Sequence, residues 1–327
     1  MSQTITWING DGIGKEVIPA ARQVIEALKL PFQFQEAEAG FQMFETYGNA
    51  LPPSTLAACE SSDAILFGAT GSPMTKVEGY QSPILTLRRH FDLFANLRPA
   101  VGQTRDGIPV DMLMVRENTE GLYSRRERVE DNGNTAIAER VITRGASERI
   151  VQIACEQAMI RRRQLTIVHK ANVLKETDGL FREAAFSITQ KYPDVAVNEL
   201  LIDTAAMRLV MNPSDFDVIV TTNLYGDILS DLAAGLVGGL GLAPSANVGS
   251  RYPAVFEPVH GSAPDIAGQG VADPRAAILS AALMLEFLGF ARQASTVRSI
   301  AYATTHEGNT LRTTENIIRQ LESLYAS

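Results

Sequence analysis

Asp227 and Asp231 stand four positions apart in Asn223-Leu-Tyr-Gly-Asp-Ile-Leu-Ser-Asp231. That spacing puts both carboxylates on one face of a helix, where like charges repel unless a cation lies between them. A set of oxygen-only ligands suits Mg2+ or Mn2+ rather than zinc. Asp203, in Leu201-Ile-Asp-Thr204, is a third carboxylate ending an apolar run. A solvated helix face is the alternative for any Asp pair, and the apolar flanks argue against it. Three arginines end or follow apolar runs: Arg88 in Leu87-Arg-Arg-His90, Arg98 in Asn96-Leu-Arg-Pro99 and Arg116 in Met114-Val-Arg-Glu-Asn118. They fit fork-like pairing with a substrate carrying several carboxylates. Ordinary salt bridges with the excess Asp and Glu fit them equally well. Tyr123, in Asn118-Thr-Glu-Gly-Leu-Tyr123, and Lys170, in His169-Lys-Ala-Asn172, offer an acid and a base. Taken singly, a Tyr is more often a satisfied core residue and a Lys a solvated one.

The elements that must carry these residues alternate. A β-rich run at 4–9 precedes Val17, Ile18, Ala21, Val24, Ile25 and Leu28, whose helical spacing predicts a helix over 16–30. Strands are expected at 32–38, 64–67, 111–115, 165–168 and 217–221. Helices are expected at 54–61, capped by Ser54, and at 147–159, 177–191, 205–211 and 228–234. This pattern argues α/β, with ligands beyond the carboxyl ends of strands. The 327 residues are about twice what one core supports. Gly- and Pro-bearing stretches near Arg98-Pro-Ala100 and Leu240-Gly-Leu-Ala-Pro244 are where the chain is expected to cross between domains. One domain is then 1–97 plus 241–327, and the other 98–240.

Composition narrows the partners. A formal net charge of −8 disfavours a protein whose business is gripping nucleic acid. The expected partner is a small molecule. Cys59 and Cys155 are too sparse for a disulfide framework and read as reduced structural thiols. The first residues run straight into strand-like alternation with no basic, then apolar, leader. The most apolar stretch, 276–291, falls short of the ~20 residues needed to span a bilayer and reads as a buried helix, with a place at a subunit interface. A soluble, cytoplasmic protein without membrane contact is expected. Gly10-Asp-Gly-Ile-Gly14 sits where a phosphate loop would, but GxGxxG fails because Lys15 replaces the third glycine. The motif reads as a structural turn.

Five motifs occur together and in order: Gly10-Asp-Gly-Ile-Gly14, Val115-Arg-Glu-Asn-Thr-Glu-Gly-Leu-Tyr123, His169-Lys-Ala-Asn-Val-Leu174, Thr222-Asn-Leu-Tyr-Gly-Asp-Ile-Leu-Ser-Asp231 and His260-Gly-Ser-Ala-Pro-Asp-Ile-Ala-Gly268. With them the chain resembles the isocitrate and isopropylmalate dehydrogenase family from about residue 4 to about 290. The resemblance implies an isopropylmalate dehydrogenase-like two-domain α/β fold, not a classical Rossmann fold. It implies metal- and NAD(P)-dependent oxidative decarboxylation of a substituted malate by a homodimer with shared active sites, which a dimer of dimers would extend. By the same resemblance, Arg88, Arg98 and Arg116 would hold the malate carboxylates. Asp227 and Asp231, with Asp203 from a second subunit, would bind Mg2+ or Mn2+. Lys170, also from the second subunit, would take the hydroxyl proton, and Tyr123 would protonate the enolate. The cofactor side would comprise Ile13, Asn172, Glu257, His260, Gly261, Ser262, Ala263, Asp265, Ile266 and Asp273. Pro264-Asp-Ile266 resembles NAD users, since Asp265 suits a ribose diol and repels a 2′-phosphate. Asp273 stands where the family commonly has Asn.

Substrate choice rests on the segment before Arg88. Isocitrate enzymes place Ser and Asn six and four residues before that arginine. Here Ser82 is kept, but Ile84 takes the second position. Ile84 and Leu85 resemble the apolar wall of isopropylmalate enzymes. The wider run, with Ser72, Tyr80 and Ser82 as polar groups for a distal carboxylate, resembles homoisocitrate dehydrogenases. The resulting order is homoisocitrate, then 3-isopropylmalate, then isocitrate; one methylene separates substrates by only ~1–3 kcal/mol. A non-catalytic regulatory subunit is the competing class, but such subunits can lose the metal ligands, the Tyr or the Lys, and this chain keeps all of them. Relatives often carry Thr-Pro-Asp-Leu-Gly-Gly near the C-terminus. Here His306-Glu-Gly-Asn-Thr-Leu-Arg-Thr-Thr314 replaces it, so the resemblance does not give the packing there.

Overall fold

The computed structural model describes residues 2–325. The chain forms two compact units, residues 1–93 with 239–327 (unit 1) and residues 94–238 (unit 2).

Unit 1 begins with β1 (Gln3–Ile8), α1 (Gly14–Ala27), β2 (Phe32–Ala37), the short α2 (Phe41–Tyr47), α3 (Pro53–Glu60), β3 (Ala64–Phe67) and α4 (Pro83–His90). It is completed by β11 (Pro244–Val248), β12 (Ala254–Pro258), α9 (Arg275–Phe287), α10 (Ala291–Ala303) and α11 (Thr310–Tyr325). Its strands lie in the order β2-β1-β3-β12-β11, parallel except where β11 meets β12. That order departs from the 3-2-1 start of a dinucleotide-binding sheet. Val17, Ile18, Ala21, Val24 and Ile25 form the buried stripe of α1, as their spacing requires. Helix α9 is buried along nearly its whole length; its alanines at 276, 277, 281 and 282 let it lie close to α1, α10 and the sheet. The apolar stretch is thus covered by elements of its own unit. Among the described residues no helix is long and apolar enough to cross a membrane. Ser54 is not a cap: α3 starts one residue earlier at Pro53, with Pro52 at the N-cap and no side-chain cap bond. A proline in the first turn loses nothing, because its missing N–H would have had no helical partner.

Unit 2 holds β4 (Ala95–Gln103), β5 (Pro109–Glu117), β8 (Gln164–His169), β9 (Ala196–Leu201) and β10 (Val218–Thr221), in the order β4-β5-β10-β8-β9. Only β4 with β5 is antiparallel. Helices α5 (Arg144–Ile160), α6 (Thr177–Thr189), α7 (Ile202–Met211) and α8 (Asn223–Leu236) connect or cover these strands. Between β5 and α5 the strands β6 (Gly121–Glu130) and β7 (Thr135–Val141) form a separate two-stranded ribbon. Most of β6, Ser124-Arg-Arg-Glu-Arg-Val-Glu130, has no apolar face, so alternation gave no sign of that strand.

Candidate active site

Strand register places the arginines of unit 2. Asn96 on β4 is opposite Arg116 on β5, and Arg98 follows Asn96 by two residues. Period-two geometry therefore puts all three on one face. Strand β10, buried throughout, runs into α8 and delivers Asn223, Asp227 and Asp231 over that face. Asp227 is where the charges converge. Its Oδ1 accepts from Arg116, in a short contact, and from Arg98 Nη1 at 3.2 Å, while its Oδ2 accepts from the Tyr123 hydroxyl at 2.7 Å. Arg116 also donates from Nε and Nη2 to Asn223 Oδ1, at 3.0 and 2.8 Å. Arg98 donates to Ser230 Oγ at 2.8 Å and reaches Asp231 Oδ1 at 3.5 Å. Gly226 makes the close approach possible, since a Cβ there would lie 2.6 Å from Arg116 Cγ. Burial raises the Tyr123 hydroxyl above its ordinary range; Arg116 opposes this and Asp227 reinforces it. Burial likewise raises the Asp231 carboxyl, with Arg98 pulling it down and Asp227 pushing it up.

A second cluster of unit 2 joins the other two candidates. Lys170 Nζ donates to Asp203 Oδ1 at 2.5 Å, and this bond holds the Asp203 carboxyl below its usual range. The Asp203 side chain, in the first turn of α7, is 63% exposed. The Lys170 backbone N–H donates to the fully buried Asp178, at 2.6 Å from Oδ2. Asp178 is ion-paired with Arg140, which also donates to Thr222 Oγ1 at 2.8 Å and to the Tyr225 hydroxyl at 3.1 Å. Neither Arg140 nor Asp178 stood out in the sequence, because one Arg within β7 and one Asp in the first turn of α6 carry no pattern. Asn172, two residues after Lys170, is exposed.

In unit 1, Arg88 Nη2 donates to Glu257 Oε1 at 2.9 Å, and Asn247 Nδ2 donates to the same oxygen at 2.8 Å. Arg88 is buried and its Nε has no hydrogen-bond partner, a donor poised for an anion. Ser82 is buried at the N-cap position of α4 without a side-chain cap bond, Leu85 is half-buried, and Ser72 is exposed. Ile84 packs against the buried cluster that includes Ile8, Leu87, Leu93 and Val255. The Tyr80 hydroxyl donates to Gly71 O at 2.6 Å, and its ring makes edge contacts with Phe41 and Phe44. Its proton is therefore committed to backbone.

Gly10 to Gly14 act through close approach. A Cβ on Gly12, whose φ is +55°, would sit 1.9 Å from Ser262 O. Ile13, buried at the N-cap of α1, donates its N–H to that same oxygen at 2.8 Å. The Asp11 carboxylate accepts from the N–H groups of Phe41, Gln42 and Gly71 at 2.6, 3.2 and 2.7 Å. The loop is thus a structural knot, holding 260–263 on one side and the start of α2 on the other. His260 Nδ1 donates to Gly261 O at 3.0 Å; Nε2 is buried without a partner, and burial lowers the ring below its ordinary pKa. Gly261 and Asp265 are exposed, Ser262 and Ile266 half-buried, and Ala263 takes a left-handed φ of 38°. Asp273 is held by Arg275, whose Nη2 donates to Oδ2 at 2.7 Å and whose Nε reaches both oxygens. Asp273 therefore meets any ligand as a neutralised pair, which its sequence position does not reveal.

Asp227 and Asp231 offer oxygen ligands one helical turn apart, beside guanidinium groups suited to carboxylates. Among the described residues of one chain, no three His, Cys, Asp or Glu side chains converge as a metal cluster. Asp203 lies apart with Lys170. The two oxygen donors of Asp227 and Asp231 fit a hard divalent ion. Over residues 4–323 the sequence matches the profile of isocitrate/isopropylmalate dehydrogenase. The chain belongs to that family. It is 56% identical over 294 residues to an isocitrate/homoisocitrate dehydrogenase of Thermus thermophilus, covering 88% of this chain and 86% of that one. It is 51% identical over 310 residues to a 3-isopropylmalate dehydrogenase of Archaeoglobus fulgidus, covering 93% and 92%. The crystal structure of isocitrate dehydrogenase from Methylococcus capsulatus superposes with a TM-score of 0.92 at 40% identity, covering 98% and 99%. Membership of the isocitrate/isopropylmalate dehydrogenase family accounts for the mixed α/β architecture, and these three relatives carry three different substrate names.

Proposed function

We propose that this chain is an NAD- and divalent-metal-dependent dehydrogenase that oxidatively decarboxylates a 3-substituted malate, homoisocitrate first, 3-isopropylmalate second and isocitrate third. The observation that carries this reading is the convergence of Arg98, Arg116 and Tyr123 on Asp227, with Asp231 one turn further along α8. Two guanidinium groups buried on a carboxylate are the arrangement a bound ion and a carboxylate substrate would re-partner. In this reading the domains of the sequence analysis have distinct duties. Unit 1 binds the cofactor, and unit 2 carries the metal ligands and the homodimer contact.

When bound, the divalent ion would supply acidification of the malate hydroxyl and charge withdrawal at the new carbonyl, and NAD would supply the hydride acceptor. The rest falls to the chain. Arg98 and Arg116 turn from Asp227 to the substrate carboxylates, and Arg88 offers its unpartnered Nε to another. Lys170 of a second copy, released from its own Asp203 and having given its ammonium proton to water, takes the hydroxyl proton. As the carbon–carbon bond breaks and carbon dioxide leaves, the electron pair stays on carbon, and Tyr123 delivers a proton there. Its raised pKa keeps that proton available at neutral pH. Ile84 is engaged by the core of unit 1, so an apolar wall would rest mainly on Leu85. This supports homoisocitrate over isopropylmalate. A distal carboxylate would take its hydrogen bonds from Ser82 and Ser72, or from Tyr80 turned away from Gly71.

The test is initial-rate NAD reduction with Mg2+, comparing homoisocitrate, 3-isopropylmalate and isocitrate at matched concentrations. The highest kcat/KM is expected with homoisocitrate. A preference for isopropylmalate would return Ile84 and Leu85 to the deciding role. No metal-dependent NADH formation with any of the three would leave the non-catalytic subunit as the better reading.

A further inference from the structure

The C-terminal segment that departs from the relatives' pattern closes on one stretch of unit 1, residues 268–273. From the connection between α10 and α11, His306 Nε2 donates to Val271 O at 3.0 Å, and its Nδ1 pairs with the Thr313 hydroxyl at 2.9 Å. Thr310, buried at the start of α11, donates its N–H to Gly270 O at 2.9 Å and its hydroxyl to Ala272 O at 2.6 Å. Thr304 O accepts from Arg275 Nη1 at 2.8 Å, and Arg275 in turn holds Asp273. At the other end, Glu16 Oε1 of α1 accepts the Gly268 N–H at 2.6 Å. Positions 270, 271, 272 and 273 are therefore gripped in succession, directly or through Arg275, from 304–313. The gripped stretch has little stiffness of its own: Gly268 and Gly270 both take left-handed φ angles, at +78° and +67°.

We propose that 304–313 is a bracket that sets 268–273 in its cofactor-receiving shape, with His306 and Thr310 as positioning residues for the adenosine half of the dinucleotide. The inference rests on the cofactor reading above, in which Asp273 lies on the adenosine side. A pre-ordered loop spares the ligand the entropy of ordering it, and so raises affinity without touching the reacting atoms. The bracket therefore acts on cofactor binding and leaves the chemistry of Asp227, Tyr123 and Lys170 alone.

The experiment compares wild type with His306→Ala, His306→Gln and Thr310→Val in the full chain. It uses calorimetric binding of ADP-ribose, which lacks the nicotinamide ring, beside steady-state kinetics with NAD. His306→Ala is expected to raise the Kd for ADP-ribose and the KM for NAD about five- to tenfold, the size of one lost hydrogen bond. In the same variant kcat at saturating NAD and KM for the malate should stay within about twofold, since only ground-state cofactor binding changes. His306→Gln, which keeps a donor for Val271 O, should recover most of the loss. Thr310→Val should move the same constants in the same direction, and serves if His306→Ala fails to fold. Unchanged ADP-ribose affinity in folded His306→Ala or Thr310→Val overturns the proposal. So does a parallel change in kcat, malate KM and NAD KM, which would mark general loosening. Wild-type protein that neither binds ADP-ribose nor reduces NAD would overturn the cofactor reading itself, before any variant is compared.

Discussion

In unit 2 the groups that meet at Asp227 are charged or strongly polar: two arginines, a tyrosine hydroxyl and a neighbouring carboxylate. In unit 1 the loops at 10–14 and 260–263 meet through backbone, with Gly12 against Ser262 O and Ile13 donating to the same carbonyl. The first arrangement has polar side-chain partners that can be exchanged, the second has close approach and a backbone hydrogen bond. In the proposed function, a site that trades partners with a polyanion and a cation needs exchangeable charges. In the same proposal, a loop that presents backbone and a few side chains to one cofactor needs a fixed form. Within unit 2 the contrast recurs on a smaller scale. Asp227 is one-third exposed and neutralises buried arginines, whereas Asp203 is nearly two-thirds exposed and touches one lysine.

Replacing each of these two carboxylates separates activity from stability. Asp227→Asn should lower kcat by about a thousandfold by weakening the cation site and releasing its arginines. It should also destabilise the fold by about 2–4 kcal/mol, because Arg116 and Arg98 are left buried with less counter-charge. Asp203→Asn should cost at least about a hundredfold in activity and leave the melting temperature where it is. Kinetics and thermal denaturation on the two variants check this. Equal destabilisation by both would break the contrast, and full activity in Asp203→Asn would remove that residue from the site.

A position held by shape should fail differently. Gly12→Ala places a methyl group into a backbone carbonyl at a left-handed φ, and the cost should be about 3 kcal/mol. Denaturant unfolding gives that figure. The KM for NAD should rise while Mg2+ dependence stays as in wild type. A variant with native stability would mean that 260–263 yields easily and that the loop is not held by shape.

The parts of the site legible in the sequence were those that break an expected pattern. An Arg at the end of an apolar run, or two Asp on one helix face, stands out because burial of charge is costly. Arg98, Arg116, Asp227 and Asp231 were found that way, and the structure brings all four together. Residues that act by being absent or ordinary left no such sign. Gly226, which gives Arg116 its room, looks like any glycine. Arg275, which neutralises Asp273, looks like a surface arginine. The Asp178 partnership of Arg140 joins the start of α6 to a ribbon strand 38 residues earlier that no alternation announced. Most of the named strands and helices followed from periodicity and ended within a few residues of expectation. Ser54 misled because a capping residue type is only half of the signal, and Pro52-Pro53 just before it already starts the helix.

The thiols report on each unit separately, since Cys59 belongs to unit 1 and Cys155 to unit 2. Burial pushes both up to about 12, so neither is a useful nucleophile near neutral pH. Native protein should show no rapid reaction with a disulfide reagent, and both thiols should react in denaturant. In the single variants Cys59→Ala and Cys155→Ala, Mg2+ should slow labelling of Cys155 more than of Cys59, because a ligand protects the unit that binds it. Equal slowing would mean that the two units open together, and the distinction between them would lose its thermodynamic content.

The smallest expected effect tests whether the Lys170 region is also held by charge. Glu199 accepts from Arg182 Nε and Nη2 at 2.5 and 2.7 Å, and from His169 Nε2 at 3.0 Å. The Arg182 bonds lower its carboxyl below the usual range; burial opposes this and His169 adds to it. His169 Nδ1 accepts the Ala171 N–H at 3.1 Å, so the ring that Glu199 holds ties together the residues before and after Lys170. A depressed carboxyl contributes stability that is fully present above the unfolded value, about 4.3, and is lost as pH falls through the folded one. The pair is open to solvent, so its worth is under about 1 kcal/mol. Wild type should therefore exceed Glu199→Gln slightly in melting temperature at pH 7, and the gap should narrow below about pH 4.3. A gap that persists to lower pH would assign the contact to packing. The Lys170 segment would then be set by shape, as the loops of unit 1 are, and its lysine would enter the chemistry from a rigid mount.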